Sequence, residues 1–277
     1  MKTSRTCICA LSALTIVIIQ FGGAADVAPA PREAAHATLV QRQAQLLDRT
    51  LAQLKAGSSD RERLYFVGFA GYGREAVFKR EVLAVRQLFD ERFGTKDRSV
   101  VLINHRSTEN EVPLATLTNL DRALQHLGQV MDTDRDTLFL FLTSHGEEGH
   151  MAVDMPGVAT RPLRPEQLRG MLDRSGIKRR VVVVSACHAG SFVPALAGPT
   201  TLVIAAARAD RSSFGCEDRR RWTYFGDAYF NRALRQDTSF RRAFQQAERL
   251  IALWERRDRL IPSLPQIAGG EDLTGIE

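Results

Sequence analysis

An α/β architecture, a mostly parallel sheet with helices on both faces, follows from two features of this 277-residue chain. Short β-prone apolar runs alternate with amphipathic helical segments, the pattern that right-handed crossover connections produce. Two of the runs, Leu138-Phe139-Leu140-Phe141-Leu142 and Val181-Val182-Val183-Val184, are apolar at every position, as strands covered on both faces are. A hydrophobic fraction of 44% and a charged fraction of 25% are enough for one substantial core and exclude a disordered chain.

The N-terminus has a separate reading. Lys2 and Arg5 precede an apolar stretch over residues 6–21, and Gly22, Gly23, Ala24 and Ala25 follow it, the layout of a secretory signal peptide cleaved after Ala25. The alternative for residues 1–25 is an uncleaved membrane anchor, although the run is shorter than the roughly 20 residues a spanning helix needs. Cys7 and Cys9 begin the run, whereas a lipid-attachment cysteine would follow it. The protein is therefore expected to be exported, periplasmic or secreted. Residues 26–32 read as a linker, and Leu39, Leu46, Leu47, Leu51 and Leu54 recur at helical spacing, as a packing helix or a removable prosegment. Residues 26–60 are thus linker and N-terminal helix, and residues 61–277 form one folded domain.

Charge narrows the partners. The formal charge is +6, and loss of residues 1–25, which carry two basic residues and no acid, lowers it to +4. Arg219-Arg220-Arg221 and Arg256-Arg257 read as solvated faces, so no nucleic acid is expected, and an anionic cell envelope or membrane surface is the more fitting contact.

Within the domain, residues 64–70 read as a strand ending in Gly71-Tyr72-Gly73. A helix follows with Phe78, Val82, Val85, Phe89 and Phe93 on one face. Residues 99–104 are a second strand, and Leu117, Leu120, Leu124, Leu127 and Met131 mark a second helix. The third strand ends at Ser144. Residues 149–163 suggest a hairpin excursion before a helix over 165–174. The fourth strand spans 181–185, a fifth apolar run spans 201–207, and helices around 224–234 and 240–254 close the domain.

The chemistry gathers where the two apolar runs stop. One breaks into Thr143-Ser144-His145-Gly146, the other into Ser185-Ala186-Cys187-His188-Ala189-Gly190. On parallel strands these turns emerge at one sheet edge, where α/β folds bind ligands. A free thiol of pKa ~8.5 is only a few per cent thiolate at neutral pH, so a nucleophilic cysteine needs a base beside it. His145 is that base. His188 is adjacent in sequence, but neighbours leaving a strand point to opposite sides. The N–H groups of Gly146 and Cys187 are the candidate oxyanion hole. A lone histidine or a lone cysteine in valine-rich surroundings is ordinarily core. Two of them, each ending its own buried run beside a glycine, point to catalysis. His145 and His150 lie five apart across glycines, unlike the helical i, i+4 pair of a zinc protease, so no metal and no organic cofactor is expected. Cys216 is the other cysteine left after removal of residues 1–25, and a disulfide to Cys187 is the non-catalytic alternative.

These residues resemble the legumain-type cysteine peptidases, relatives of the caspases, with a His-Gly after one strand and a Cys after the next. The separation of 42 from His145 to Cys187 is similar to the roughly 50 residues of the caspase signature. Ala206-Ala207-Arg208, Ser212-Ser213-Phe214-Gly215-Cys216 and Thr223-Tyr224-Phe225-Gly226-Asp227 look like that family's Ala-Ala-Arg, Ser-Ser-Tyr-Ala-Cys and Thr-Tyr-Leu-Gly-Asp blocks. The resemblance implies a caspase/legumain-like three-layer α/β sandwich on about six strands, and an endopeptidase acting on peptide or protein substrates through a thioester. It makes Cys187 the nucleophile, His145 the general base and acid, and Cys216 a free structural thiol. It places Ser213 and Asp227 in the pocket for the residue before the scissile bond. Lys79-Arg80 is the nearest match to the family's pocket cation, and His188 stands where the family often has an acid. Cleavage after Asn is the implied preference, whereas an Asp227 without a neutralising partner would favour Lys or Arg. A transamidase using the same dyad and a non-catalytic peptide- or envelope-binding relative are the alternatives.

Overall fold

The structure, a computed structural model, describes residues 31–56 and 62–273, so the expected signal peptide lies outside the described residues. Its elements run α1 (Pro31–Ala52), β1 (Leu64–Ala70), α2 (Ala76–Arg92), β2 (Ser99–Ile103), α3 (Leu117–Val130), β3 (Thr137–Thr143), a small hairpin of β4 (Gly146–Glu147) and β5 (His150–Met151), α4 (Pro165–Arg174) and β6 (Arg179–Ser185). A 3-10 turn (Ala189–Phe192) and α5 (Val193–Leu196) lead to β7 (Thr201–Ala205). Then come α6 (Tyr224–Gly226), a π-helical stretch (Asp227–Ala233), α7 (Leu234–Gln236), α8 (Phe240–Arg257) and β8 (Gln266–Ala268).

The six-stranded sheet has the order β2-β1-β3-β6-β7-β8. All neighbours are parallel except the β7–β8 pair. Strand alternation divides each strand between two cores. Val67, Phe69, Leu140, Leu142, Val182 and Val184 face one layer with Leu47 of α1, Leu120 and Leu124 of α3, and Leu168 and Leu172 of α4. Phe66, Phe139, Phe141, Val181 and Val183 face the other, with Phe78, Val82, Val85 and Phe89 of α2 and Phe230 and Phe240 beyond. β3 and β6 are central, and all seven residues of β3 are buried. Each fully buried Leu, Val or Phe contributes about 1.5–3 kcal/mol of transfer free energy, so the two strands that end in the candidate dyad are anchored in the most stable part of the molecule.

The expected α/β sandwich is therefore present, with local differences. The helix starts at Pro31, two residues inside the expected linker; proline suits a first helical turn because its missing N–H is one the helix leaves unpaired there. Leu46, Leu47 and Leu51 are buried in the core, and Gln43 donates from Nε2 to Glu109 O and accepts at Oε1 from Leu114 N–H, so α1 packs against the domain. β2 ends at Ile103 because the buried Asn104 side chain turns to bind Gly71 O, Ala115 O and Ala115 N–H. β8, a three-residue edge strand, is too short to show a period in the sequence.

Candidate active site

Strand register sets the site. Thr143 pairs with Ser185 on the adjacent parallel strands, and His145 and Cys187 each follow two residues later. Ser144 N–H donates to Ser185 O at 3.2 Å, which carries the alignment past the last pair. Period-two alternation then sends His145 and Cys187 toward the side of the sheet that faces α2. Gly146 follows as a glycine because no side chain fits: a Cβ there would lie 2.1 Å from Cys187 O. In the small hairpin, Ala152 N–H goes to His145 O and Met151 N–H goes to Leu163 O. These bonds flank Gly146 and leave its N–H outside the ladder.

His145 is held on three sides. Its ring makes edge contacts with Tyr72 at 4.6 Å and Phe78 at 5.1 Å between centroids, and its Nε2–H donates to Glu75 Oε2 at 2.5 Å. Glu75 is the N-cap residue of α2 but makes no capping bond with its side chain. Asp218 takes that task instead, accepting from Ala76 N–H at 2.7 Å and freeing the Glu75 carboxylate for the imidazole. Sequence reasoning missed Glu75. An acid at a helix start reads as an ordinary dipole-compensating residue, and nothing local marks a partner 70 positions away.

Cys187 Sγ lies 3.4 Å from Ser213 O and 3.3 Å from Ser213 N. The segment expected to line the substrate pocket thus passes directly beside the thiol. His188 adopts a left-handed backbone (φ 56°), and its N–H donates to Arg211 O. Its Nδ1–H donates to Ala209 O at 2.8 Å, which fixes the ring against the loop after β7. Cys187 and Cys216 are free thiols. Burial pushes the Cys216 thiol far above its ordinary range, and the Cys187 and Glu81 charges add to the effect.

The other expected pocket residues each have their own partners. Lys79 Nζ reaches Ser107 Oγ at 2.8 Å and lies 3.3 Å from His105 Nδ1. Arg80 donates to the backbone oxygens of Asp218 and Arg220, so it clamps the loop between Cys216 and Thr223. Asp227 accepts from Asn231 Nδ2 at 2.7 Å and faces Arg232 Nε at 3.3 Å. Asp227 therefore has a cationic partner in Arg232. The cause is the π-winding of Asp227–Ala233, which brings the fifth residue on alongside the first.

Residues 114–267 match the model of the Peptidase C13 family. No curated protein matches the chain by sequence. Among solved structures, caspase-1 from Spodoptera frugiperda superposes with a TM-score of 0.53 at 13% identity, covering 78% of this chain and 88% of that one. At that identity the likeness is one of fold.

Proposed function

The chain belongs to the peptidase C13 family and is a cysteine peptidase; from that premise we propose that Cys187 is its nucleophile and His145 its general base and acid. The observation that carries this reading is the Thr143–Ser185 register, from which both residues follow at equal steps. Glu75 holds Nε2–H, so Nδ1 is the imidazole nitrogen that takes the Cys187 proton. The thiolate attacks the scissile carbonyl, and the oxyanion is received by the N–H groups of Gly146 and Cys187, each such donor typically contributing ~2.7–4 kcal/mol. His145 returns the proton to the leaving amine, and a thioester remains on Cys187. Water, deprotonated by the same imidazole, then releases the acid product.

Peptide and protein substrates follow from the family. Ser213 lines the entry beside Cys187, and Asp227, neutralised by Arg232, suits an uncharged amide side chain better than a Lys or Arg. Asparagine before the scissile bond is the preference this supports. The test is a peptide library incubated with the purified protein and with Cys187→Ala between about pH 4 and 8, a span that includes the range of roughly pH 5 to 8 in which histidine side chains change charge. Cleavage after Asn by the wild type alone is expected. Cleavage after Lys or Arg would overturn the pocket reading, and identical absence of products from both proteins would overturn the dyad.

A further inference from the structure

Glu81 lies inside α2, is 0% exposed, and has no part in the chemistry above. A carboxyl group buried this deeply is costly unless its oxygens are bonded. Here three donors meet it. Oε2 accepts from Thr143 Oγ1–H at 2.7 Å, and Oε1 accepts from Thr223 N–H at 3.0 Å and from Thr223 Oγ1–H at 2.7 Å. Thr223 Oγ1 also caps α6 by accepting from Gly226 N–H, and it lies 3.4 Å from Ser185 Oγ. Gly226 completes the nest, since a Cβ there would fall 1.8 Å from Glu81 Oε1.

The partners are what give this cluster its meaning. Thr143 and Ser185 are register mates at the ends of β3 and β6, each two residues before a member of the dyad. Thr223 begins the helical segment that carries Asp227. One buried side chain on α2 therefore ties the histidine strand directly, and the cysteine strand through Thr223, to the segment that lines the expected pocket. We propose that Glu81 is a positioning residue: it sets the separation and orientation of His145 and Cys187 without touching substrate. This inference rests on the dyad assignment above. A misplacement of about 1 Å from a distant change can cost roughly 100-fold in rate, so a spacer at this point has leverage that its own chemistry does not.

The probe is iodoacetamide, with the Cys187 adduct located and timed by mass spectrometry on the full chain, and thermal melting followed in parallel. Four variants are compared with wild type: Glu81→Leu, Glu81→Gln, Thr143→Val and His145→Ala. Glu81→Leu is expected to slow alkylation of the folded protein by about 10- to 100-fold. Glu81→Gln keeps an acceptor for Thr223 and offers its amide to Thr143 Oγ1, and it is expected to recover most of that loss. Thr143→Val removes one bond and is expected to slow alkylation about 3- to 10-fold with little change in melting. Wild-type alkylation in a folded Glu81→Leu overturns the proposal. Should Glu81→Leu fail to fold, Thr143→Val decides alone, and an unchanged rate there overturns it equally. A wild-type rate no faster than that of His145→Ala marks a different failure, that of the dyad, and takes this proposal with it.

Discussion

Glu75 Oε2 lies 2.5 Å from His145 Nε2, and the imidazole is pinned between this carboxylate and the rings of Tyr72 and Phe78. A general-base histidine needs one nitrogen committed and the other available, and in the proposed dyad Glu75 supplies the commitment. Glu75→Gln keeps the shape but lets the amide present either a donor or an acceptor, so the tautomer is no longer imposed. We expect kcat to fall by about 10- to 1000-fold with KM changed little, by analogy with loss of the orienting acid in hydrolytic triads. Steady-state kinetics on a cleaved peptide checks this; a kcat within twofold of wild type would remove Glu75 from the site.

The contact between Gly146 and Cys187 makes a sharper prediction. A Cβ at residue 146 would meet the Cys187 carbonyl oxygen at 2.1 Å and Ala186 Cβ at 3.0 Å. The carbonyl is backbone and cannot rotate away, so Gly146→Ala must push the two turns apart. Loss of one oxyanion donor alone costs about 100- to 1000-fold in kcat, and we expect at least that. The β3 and β6 cores lie several residues away and are untouched, so the variant should still fold. A circular-dichroism melt near wild type alongside the kinetic loss is the expected pair; unimpaired turnover would mean that the turns are not apposed as described.

The two thiols should differ in reactivity. Burial, the first cause, and nearby negative charge hold Cys216 far above the ordinary thiol range, so it stays protonated throughout neutral pH. Cys187 stands two residues beyond the end of β6, and both side chains are partly exposed, so protonation rather than access separates the two thiols. Iodoacetamide at about pH 7.5 should label Cys187 in the native protein well ahead of Cys216, whose labelling should accelerate in denaturant. Native labelling of Cys216 at a comparable rate would contradict the suppression of its thiolate.

How much of this was legible in the sequence depends on the range of the interaction. The strands were readable because full burial leaves continuous apolar runs, and His145, Gly146 and Cys187 could be singled out as candidates because they stand where those runs stop. The Asp227–Arg232 pair was not: it depends on π-winding, which no residue pattern announces, so whether Asp227 has a cationic partner could not be read. Lys79-Arg80 was placed in the pocket only by resemblance to the family's cation, and the Arg80 guanidinium donates to the carbonyls of Asp218 and Arg220. Glu75 and Glu81 were missed for a related reason. Both sit on an amphipathic helix, where an acid reads as surface, and their partners come from strand and loop residues more than 60 positions away.

Leu47 tests whether α1 is integral or removable. It is 0% exposed and packs in the core shared with α3 and the sheet. Leu47→Ala should destabilise the protein by about 2–5 kcal/mol, the usual cost of emptying a buried leucine site. Chemical denaturation measures it directly. A change under about 0.5 kcal/mol, typical of surface positions, would recast α1 as a detachable segment.

Glu81 also carries a pH signature whose sign can be worked out. Burial is the largest influence on its carboxyl and raises its pKa; the bonds from Thr143 and Thr223 pull it part of the way back, and Asp227 pushes it up again. Between the unfolded glutamate value of about 4.3 and the raised native value, the native state binds the extra proton. Stability associated with the protonated group is therefore complete below about pH 4.3 and is lost as pH rises through the native pKa. Glu81→Gln resembles the protonated acid at every pH and does not titrate. The melting temperature of the variant minus that of wild type should thus become more positive from about pH 4 to 7, each 1 kcal/mol appearing as roughly 2–4 °C. Asp227 and Cys216 face the same cluster, but both are present in the two proteins and cancel to first order in the difference. A difference that is flat, or that declines with pH, would mean that the native carboxyl ionises as readily as in the unfolded chain. The three hydrogen bonds would then outweigh burial at the point where α2 meets the strands that lead to His145 and Cys187.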